Sequence, residues 1–136
     1  MKRALAVIAL AATLYLLPIA GKSVISHVPD KDRLKRNPLA SDGQAPAAGR
    51  KLFEDHCAQC HGSSAQGGKR APELVGGEME LATPGEIFWV VTNGVVRHGM
   101  PSWSKLPEAQ RWQIVTFLQS LNASKGTAAR ESTIKP

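Results

Sequence analysis

Cys57-Ala58-Gln59-Cys60-His61 sets two thiols three positions apart, with an imidazole directly after the second. Thiols at this spacing can hold a metal, cycle as a redox pair, close a small disulfide, or add across the two vinyl groups of a porphyrin. The order C-x-x-C-H is the attachment signature of c-type haem. A two-residue gap lets both sulfurs reach neighbouring edges of one macrocycle. The histidine that follows can then reach the iron from the same side. The other chemistries want partners the chain lacks. A zinc site needs about four ligands, usually with a second pair at matching spacing. The chain has 2 cysteines in all, and His56, His61 and His98 form no C-x-x-C…H-x-x-x-H pattern. A thioredoxin-like pair sits in a strand–helix context, and no such context flanks this motif. A Cys57–Cys60 disulfide would close too small a loop to stabilise much.

An iron held by His61 has a second axial position to fill or leave open. Apart from the initiator methionine, the thioethers are those of Met79 and Met100. Met100 stands in Arg97-His98-Gly99-Met100-Pro101, where glycine and proline fix the backbone on either side. A methionine so placed is a poor core filler, which is the usual role of Met. Met79, in Gly76-Gly77-Glu78-Met79-Glu80, lies 18 residues past His61 and has one loop with which to round the haem edge. Met100 lies 39 residues past it and has a loop and a helix for the journey. Met100 is the expected distal ligand, with His98 as the runner-up.

These residues need elements to position them. Three helices are expected in 44–124. The first runs from about Pro46 to Cys57, with Ala48, Leu52 and Phe53 on its apolar stripe. The second starts at a T-x-x-E capping box, Thr83 to Glu86, with Pro84 in the first turn, and stops at Asn93-Gly94. The third begins near Pro107-Glu108 and ends near Asn122, with Ile114, Val115, Phe117, Leu118 and Leu121 on a broad buried face. No convincing strand pattern appears. The turn-rich stretches Gly62 to Gly77 and Val95 to Leu106 are long for loops, and loops of that length usually carry function.

The flanks read differently. Lys2 and Arg3 precede a mostly apolar run of 17 residues, Ala4 to Ala20. Residues 1–21 are therefore expected to be a signal peptide or an N-terminal membrane anchor. Either reading exports the remainder to the periplasm, and the second tethers it to the inner membrane. Residues 22–43 are polar and charged, with Pro29 and Pro38, and are expected to be a polar tether. Residues 125–136 are expected to be a flexible C-terminal tail. The net charge of the whole chain is +6, yet residues 44–124 carry seven charges of each sign. The basic excess thus sits outside the globular part, which argues against a nucleic-acid-binding domain. Residues 44–124 number only 81, and a core of that size rarely gains more than ~3–5 kcal/mol without a staple. A covalently bound cofactor would supply one.

The chain resembles the monohaem c-type cytochrome family, of the small His/Met-ligated kind. The resemblance covers roughly 45–123. It rests on Gly49-x-x-Leu52-Phe53 before the C-x-x-C-H motif, then Ala71-Pro72-Glu73-Leu74, then Gly99-Met100-Pro101, then an aromatic-bearing last helix. It implies an all-α, cytochrome c-like fold, with three main helices and long loops wrapped around one covalent haem c. It implies that the first and last helices cross at Gly49, with Phe53 packed against Phe117. It implies that the Pro72 carbonyl accepts a hydrogen bond from His61 and so fixes the ring. The family usually has glycine before this proline; Ala71 stands here, and the bond needs only the carbonyl. Trp103 can donate its indole N–H to a haem propionate. The strings around Pro84, Gly99 and Arg111 look like those of short bacterial cytochromes, some associated with quinoprotein dehydrogenases.

The function expected is that of a one-electron carrier, not itself catalytic. Its iron would be held by His61 and Met100, and transfer would be outer-sphere, to and from redox protein partners. A quinoprotein dehydrogenase, a terminal oxidase and another cytochrome are the partner classes considered. Two alternatives stand beside it: a haem enzyme or sensor with a displaceable distal ligand, and a fixed electron-transfer subunit of a larger dehydrogenase or oxidase.

Overall fold

Gly49 decides how closely two helices can approach. It sits on α2 (Ala45–His56), a helix that begins with Pro46 in its first turn. A Cβ at Gly49 would collide with the Gln113 carbonyl and come within 2.9 Å of Phe117 Cβ. Both residues belong to α6 (Glu108–Ile134). The missing side chain thus lets the two backbones touch. One turn further on, Phe53 is fully buried and its ring meets Phe117 at a centroid distance of 5.3 Å, tilted by 54°. Burying a side chain of that size stabilises by about 2–3 kcal/mol. The expected crossing of first and last helices is therefore present, with both aromatics at its centre.

The computed structural model describes the backbone of residues 23–134 and the side chains of residues 23–126. The expected leader over 1–21 lies outside the described residues. A 3-10 turn, Val24–His27, opens the described chain and is followed by α1 (Asp30–Arg33). After α2 come the single turns α3 (Ala58–His61) and α4 (Gly77–Leu81), then α5 (Pro84–Asn93). A 3-10 turn at Val96–His98 precedes α6. The architecture is all-α among the described residues. Its one β feature is an isolated antiparallel bridge between Val95 and Met100. Among the same residues, no helix is long and apolar enough to cross a membrane.

The start of α5 follows its sequence closely. The Thr83 hydroxyl accepts from the Glu86 N–H, and the Glu86 carboxylate accepts from the Thr83 N–H at 2.7 Å. Val91, Ile87 and Phe88 then turn into the core. Phe88 stacks on Trp112 of α6 with centroids 4.0 Å apart and rings 17° from parallel. The core is one cluster, formed by α2, α5, α6 and the loop residue Ala65.

Two expectations about the flanks do not hold. Residues 23–43 are no loose tether. Ile25, Val28, Asp32 and Asn37 are all buried. The Arg33 guanidinium meets Glu86 at 2.7 Å and donates to the carbonyls of Val28 and Ile25. The Asn37 amide donates to Thr116 at 2.8 Å and to Gln119 at 3.1 Å on α6. The carbonyls of α1 and its C-terminal end lie directly against Gly85. The physical reason is that the free oxygen of the Glu86 capping box is buried and needs a cation, and Arg33 supplies it. Polar residues here close a polar site, so a polarity count cannot tell them from a solvated linker.

The C-terminal segment expected to be a flexible tail is helical. α6 spans 27 residues and continues to Ile134. Beyond Asn122 the chain is rich in alanine with Lys125, Arg130 and Glu131, all strong helix formers, and proline appears only at the last residue. Asn122 lies inside the helix and not at its end.

Two substitutions test this packing. Gly49→Val forces the α2–α6 crossing apart and is expected to lower unfolding free energy by about 2–3 kcal/mol, the usual cost of overpacking. Arg33→Ala leaves the Glu86 carboxylate without its cation and is expected to cost about 2–3 kcal/mol, below the ~3–5 kcal/mol of a fully buried pair because Arg33 is part-exposed. Denaturant unfolding of the full chain measures both. A loose tether predicts no effect from the second.

Candidate functional site

The C-x-x-C-H motif is placed by the end of α2. Cys57 closes the last turn of that helix, its N–H donating to the Phe53 carbonyl at 2.8 Å. Its own carbonyl accepts from the N–H of Cys60 at 3.1 Å and of His61 at 3.0 Å, which curls the motif into α3. Both thiols are free. Cys57 is half-buried against the core and Cys60 is exposed. Burial pushes the Cys57 thiol up from 9.0 to about 11, with the nearby Cys60 adding to the effect.

His61 is buried at 8% exposure. Its backbone is held at both ends, since its carbonyl accepts from Gly67 at 2.8 Å. The ring Nδ1 lies 2.9 Å from the Pro72 carbonyl. A carbonyl only accepts, so Nδ1 carries the proton. In the neutral ring this leaves Nε2 as a bare lone pair, which is the form that ligates a metal. The loop between them turns back on itself through Leu74 N–H to Ala65 carbonyl at 2.7 Å and Gly68 N–H to Ala71 carbonyl at 2.9 Å. Ala65 is buried and adopts a left-handed φ of 59°, an uncommon conformation for a residue with a Cβ.

The second loop presents Met100. Its backbone is doubly paired: Val95 N–H donates to the Met100 carbonyl at 2.9 Å, and Met100 N–H to the Val95 carbonyl at 3.2 Å. The turn rests on Gly94, at φ 70°, whose absent Cβ would meet the Pro101 carbonyl carbon at 2.5 Å. Beyond it, Ser102 donates to the Thr92 carbonyl at 2.7 Å, and Trp103 N–H to the Val91 carbonyl at 3.2 Å. Arg111 closes the loop from α6, donating to Thr92 Oγ1 at 2.6 Å and to the Leu106 carbonyl at 3.2 Å. Met79 by contrast lies in α4 and packs against the core. His98 and Arg97 are exposed.

Trp103 is half-buried against the core, and its ring lies 5.0 Å from that of His56, tilted by 45°. His56, directly before the motif, therefore contacts the Met100 loop. Sequence reasoning also missed Asn122, buried at 8% exposure. It falls in phase with Leu118 and Leu121 on the apolar face of α6. A polar amide at such a position must be satisfied internally, and that was the available signal.

The donor set suits a c-type haem. It comprises two free thiols, and one buried imidazole whose second nitrogen is already satisfied. A thioether-bearing loop is held by backbone and side-chain bonds to α5 and α6. Among the described residues, no group of three or more His, Cys, Asp or Glu side chains forms an alternative metal cluster.

Comparison with known proteins agrees with this chemistry. The chain is 33% identical over 138 residues to a cbb3-type cytochrome c oxidase subunit CcoP of Azospirillum sp. (strain B510), an alignment that covers 88% of this chain and 44% of the relative. It is 41% identical over 64 residues to the corresponding subunit of Rubrivivax gelatinosus, covering 46% of this chain and 21% of the relative. It is 30% identical over 96 residues to cytochrome c550 of Pseudomonas aeruginosa, covering 66% of this chain and 65% of the relative. The chain spans less than half the length of the CcoP relatives it matches. A family model described as cytochrome c oxidase, cbb3-type, subunit III, matches residues 44–118, from just before α2 to the middle of α6. That stretch contains the motif, both loops and the helix crossing, and so the chain belongs to this family of c-type cytochrome domains.

Proposed function

We propose that the protein is a one-electron carrier that holds one haem c covalently through Cys57 and Cys60, with His61 and Met100 as axial ligands. The observation that carries this reading is the 2.9 Å approach of His61 Nδ1 to the Pro72 carbonyl. It fixes the tautomer and the ring plane, and it makes Nε2 a stronger donor. Haem c, when bound, supplies an iron that takes up and releases one electron. The chain does the rest. Cys57 and Cys60 would fasten the macrocycle beside the end of α2. Met100, on a loop braced from both sides, would hold the iron opposite His61 and keep oxygen from binding there. A His/Met pair would raise the reduction potential. Trp103 could offer its indole N–H to a propionate. The chain contains one C-x-x-C-H sequence, which supports a single haem.

The names of the relatives support a terminal oxidase as redox partner. They give no support to a quinoprotein dehydrogenase, the other partner class expected. Two modes of transfer fit the reading. The relatives named as oxidase subunits favour a fixed subunit, and the likeness to cytochrome c550 favours a separate carrier. The export reading of residues 1–21 places the domain in the periplasm, tethered to the inner membrane if that segment is retained. The folded packing of residues 23–43 then leaves little free chain between anchor and domain.

The ferric absorption spectrum tests the ligand set. Met100→Ala is expected to abolish the weak near-infrared sulfur-to-iron band. Met79→Ala is expected to keep it while costing about 2 kcal/mol of stability, the low end for truncating a core methionine. Survival of the band in the first variant and its loss in the second would reverse the assignment. Slow or absent carbon monoxide binding to the reduced protein at neutral pH is expected; rapid binding would favour a sensor or enzyme.

The thiols give a further test. The thiolate is the reactive form, so a raised pKa delays reaction. In the folded chain before haem is attached, iodoacetamide is expected to label Cys60 ahead of Cys57. Labelling of Cys57 should keep accelerating until pH reaches about 11. Peptide mass spectrometry reads both sites, and equal labelling of the two near neutral pH contradicts the burial of Cys57.

A further inference from the structure

We infer that Asn122, in the second half of α6, is a positioning residue for the His61 imidazole, acting through the loop that carries the Pro72 carbonyl. The inference rests on the electron-carrier reading above.

Three bonds converge on the Asn122 amide. Its Oδ1 accepts from Gly76 N–H at 2.6 Å. Its Nδ2 donates to the Leu74 carbonyl at 3.1 Å and to the Leu118 carbonyl of its own helix at 3.0 Å. Both amide donors and the acceptor are used, and the side chain is buried. Asparagine is the residue that can do this, because it offers two N–H groups and a carbonyl in one plane. Lys125, one turn along, adds an exposed bond to the Val75 carbonyl at 3.2 Å. Three successive residues of the loop, Leu74 to Gly76, are thus pinned to α6.

The pinned stretch begins two residues after Pro72. Leu74 is the junction. Its N–H is bound to Ala65 on the motif side, and its carbonyl is bound to Asn122 on the α6 side. The Pro72 carbonyl therefore sits in a segment held taut between the post-motif turn and α6. Without the Asn122 bonds, the Leu74 carbonyl and the Gly76 N–H lose their partners in a buried place. The segment must then shift to find others, because buried backbone groups left unpaired are costly. A shift there lengthens or bends the His61–Pro72 bond. A weaker acceptor on Nδ1–H makes Nε2 a poorer donor to ferric iron, so the reduction potential rises.

Asn122→Asp separates positioning from bulk. It keeps the shape and the oxygen that faces Gly76 but turns the two donors into an acceptor facing the Leu74 and Leu118 carbonyls. Asn122→Ser is the milder companion should the first fail to fold. In the reduced, haem-loaded full chain, we expect solvent exchange of the His61 Nδ1 proton, followed by NMR, to accelerate at least tenfold in Asn122→Asp. A smaller acceleration is expected in Asn122→Ser, and a rise in reduction potential in both. Lys125→Ala, which removes only the exposed bond, should keep the exchange rate within twofold of wild type and leave the potential unchanged. Reduced stability with unchanged exchange and unchanged potential would make Asn122 merely structural and overturn the inference. A wild-type chain that carries no covalent haem chromophore would overturn the electron-carrier reading and this inference with it.

Discussion

Two backbones touch where α2 and α6 cross, and that contact governs the placement of the site. A helix crossing with side chains between the axes typically stands about 8–10 Å apart. Here Gly49 removes the side chain, and the Gln113 carbonyl enters the space. The approach seats Phe53 fully in the core against Phe117. Because Phe53 also receives the N–H of Cys57, the motif starts from a fixed point. Cys57, Cys60 and His61 then follow within a single curled turn. The motif is thereby tied, through Phe53, to the helix crossing.

The N-terminal segment extends this frame in an unexpected way. Its Arg33 completes an ion pair with the buried Glu86, which is already engaged as a helix cap. The pair is partly dry, so it offsets a desolvation cost more than it adds net stability. Its effect is positional. Residues 23–43 lie over the start of α5 and the middle of α6, and Lys35 and Arg111 both approach the ring of Phe88, at 5.7 Å and 4.9 Å. The globular unit is therefore larger than the stretch that carries the family match, and it contains part of the basic excess that sequence reading placed outside it.

Much of this was legible in the sequence, for a physical reason in each case. The cap at Thr83–Glu86 is local, and its chemistry depends only on spacing. The C-x-x-C-H motif and the Gly-Met-Pro loop are short and carry their own geometry. What escaped was long-range and polar. Arg33 and Glu86 are 53 residues apart, and Asn37 and Thr116 are 79 apart. Nothing in the local pattern of residues 22–43 marks one charge as buried and its neighbour as solvated. The same limit hid Asn122, which reads as a helix end and serves as a loop clamp. The length of α6 was missed for the opposite reason: its helix propensity past Asn122 is ordinary and visible, and Gly126 is too weak a stop to override it.

One helix holds both loops. The first half of α6 closes the Met100 loop through Arg111, bound to Thr92 and to the Leu106 carbonyl. The second half closes the Pro72 loop through Asn122 and Lys125. Between them lies the crossing with α2, at Gln113 and Phe117, which fixes the starting point of the motif. The Pro72 loop, the Met100 loop and the C-x-x-C-H motif are thus referred to a single rigid rod. Close-packed interiors transmit strain because they have few voids to absorb it. A displacement of α6 would move the two loops together, whereas a loop held only by its own turns would move alone.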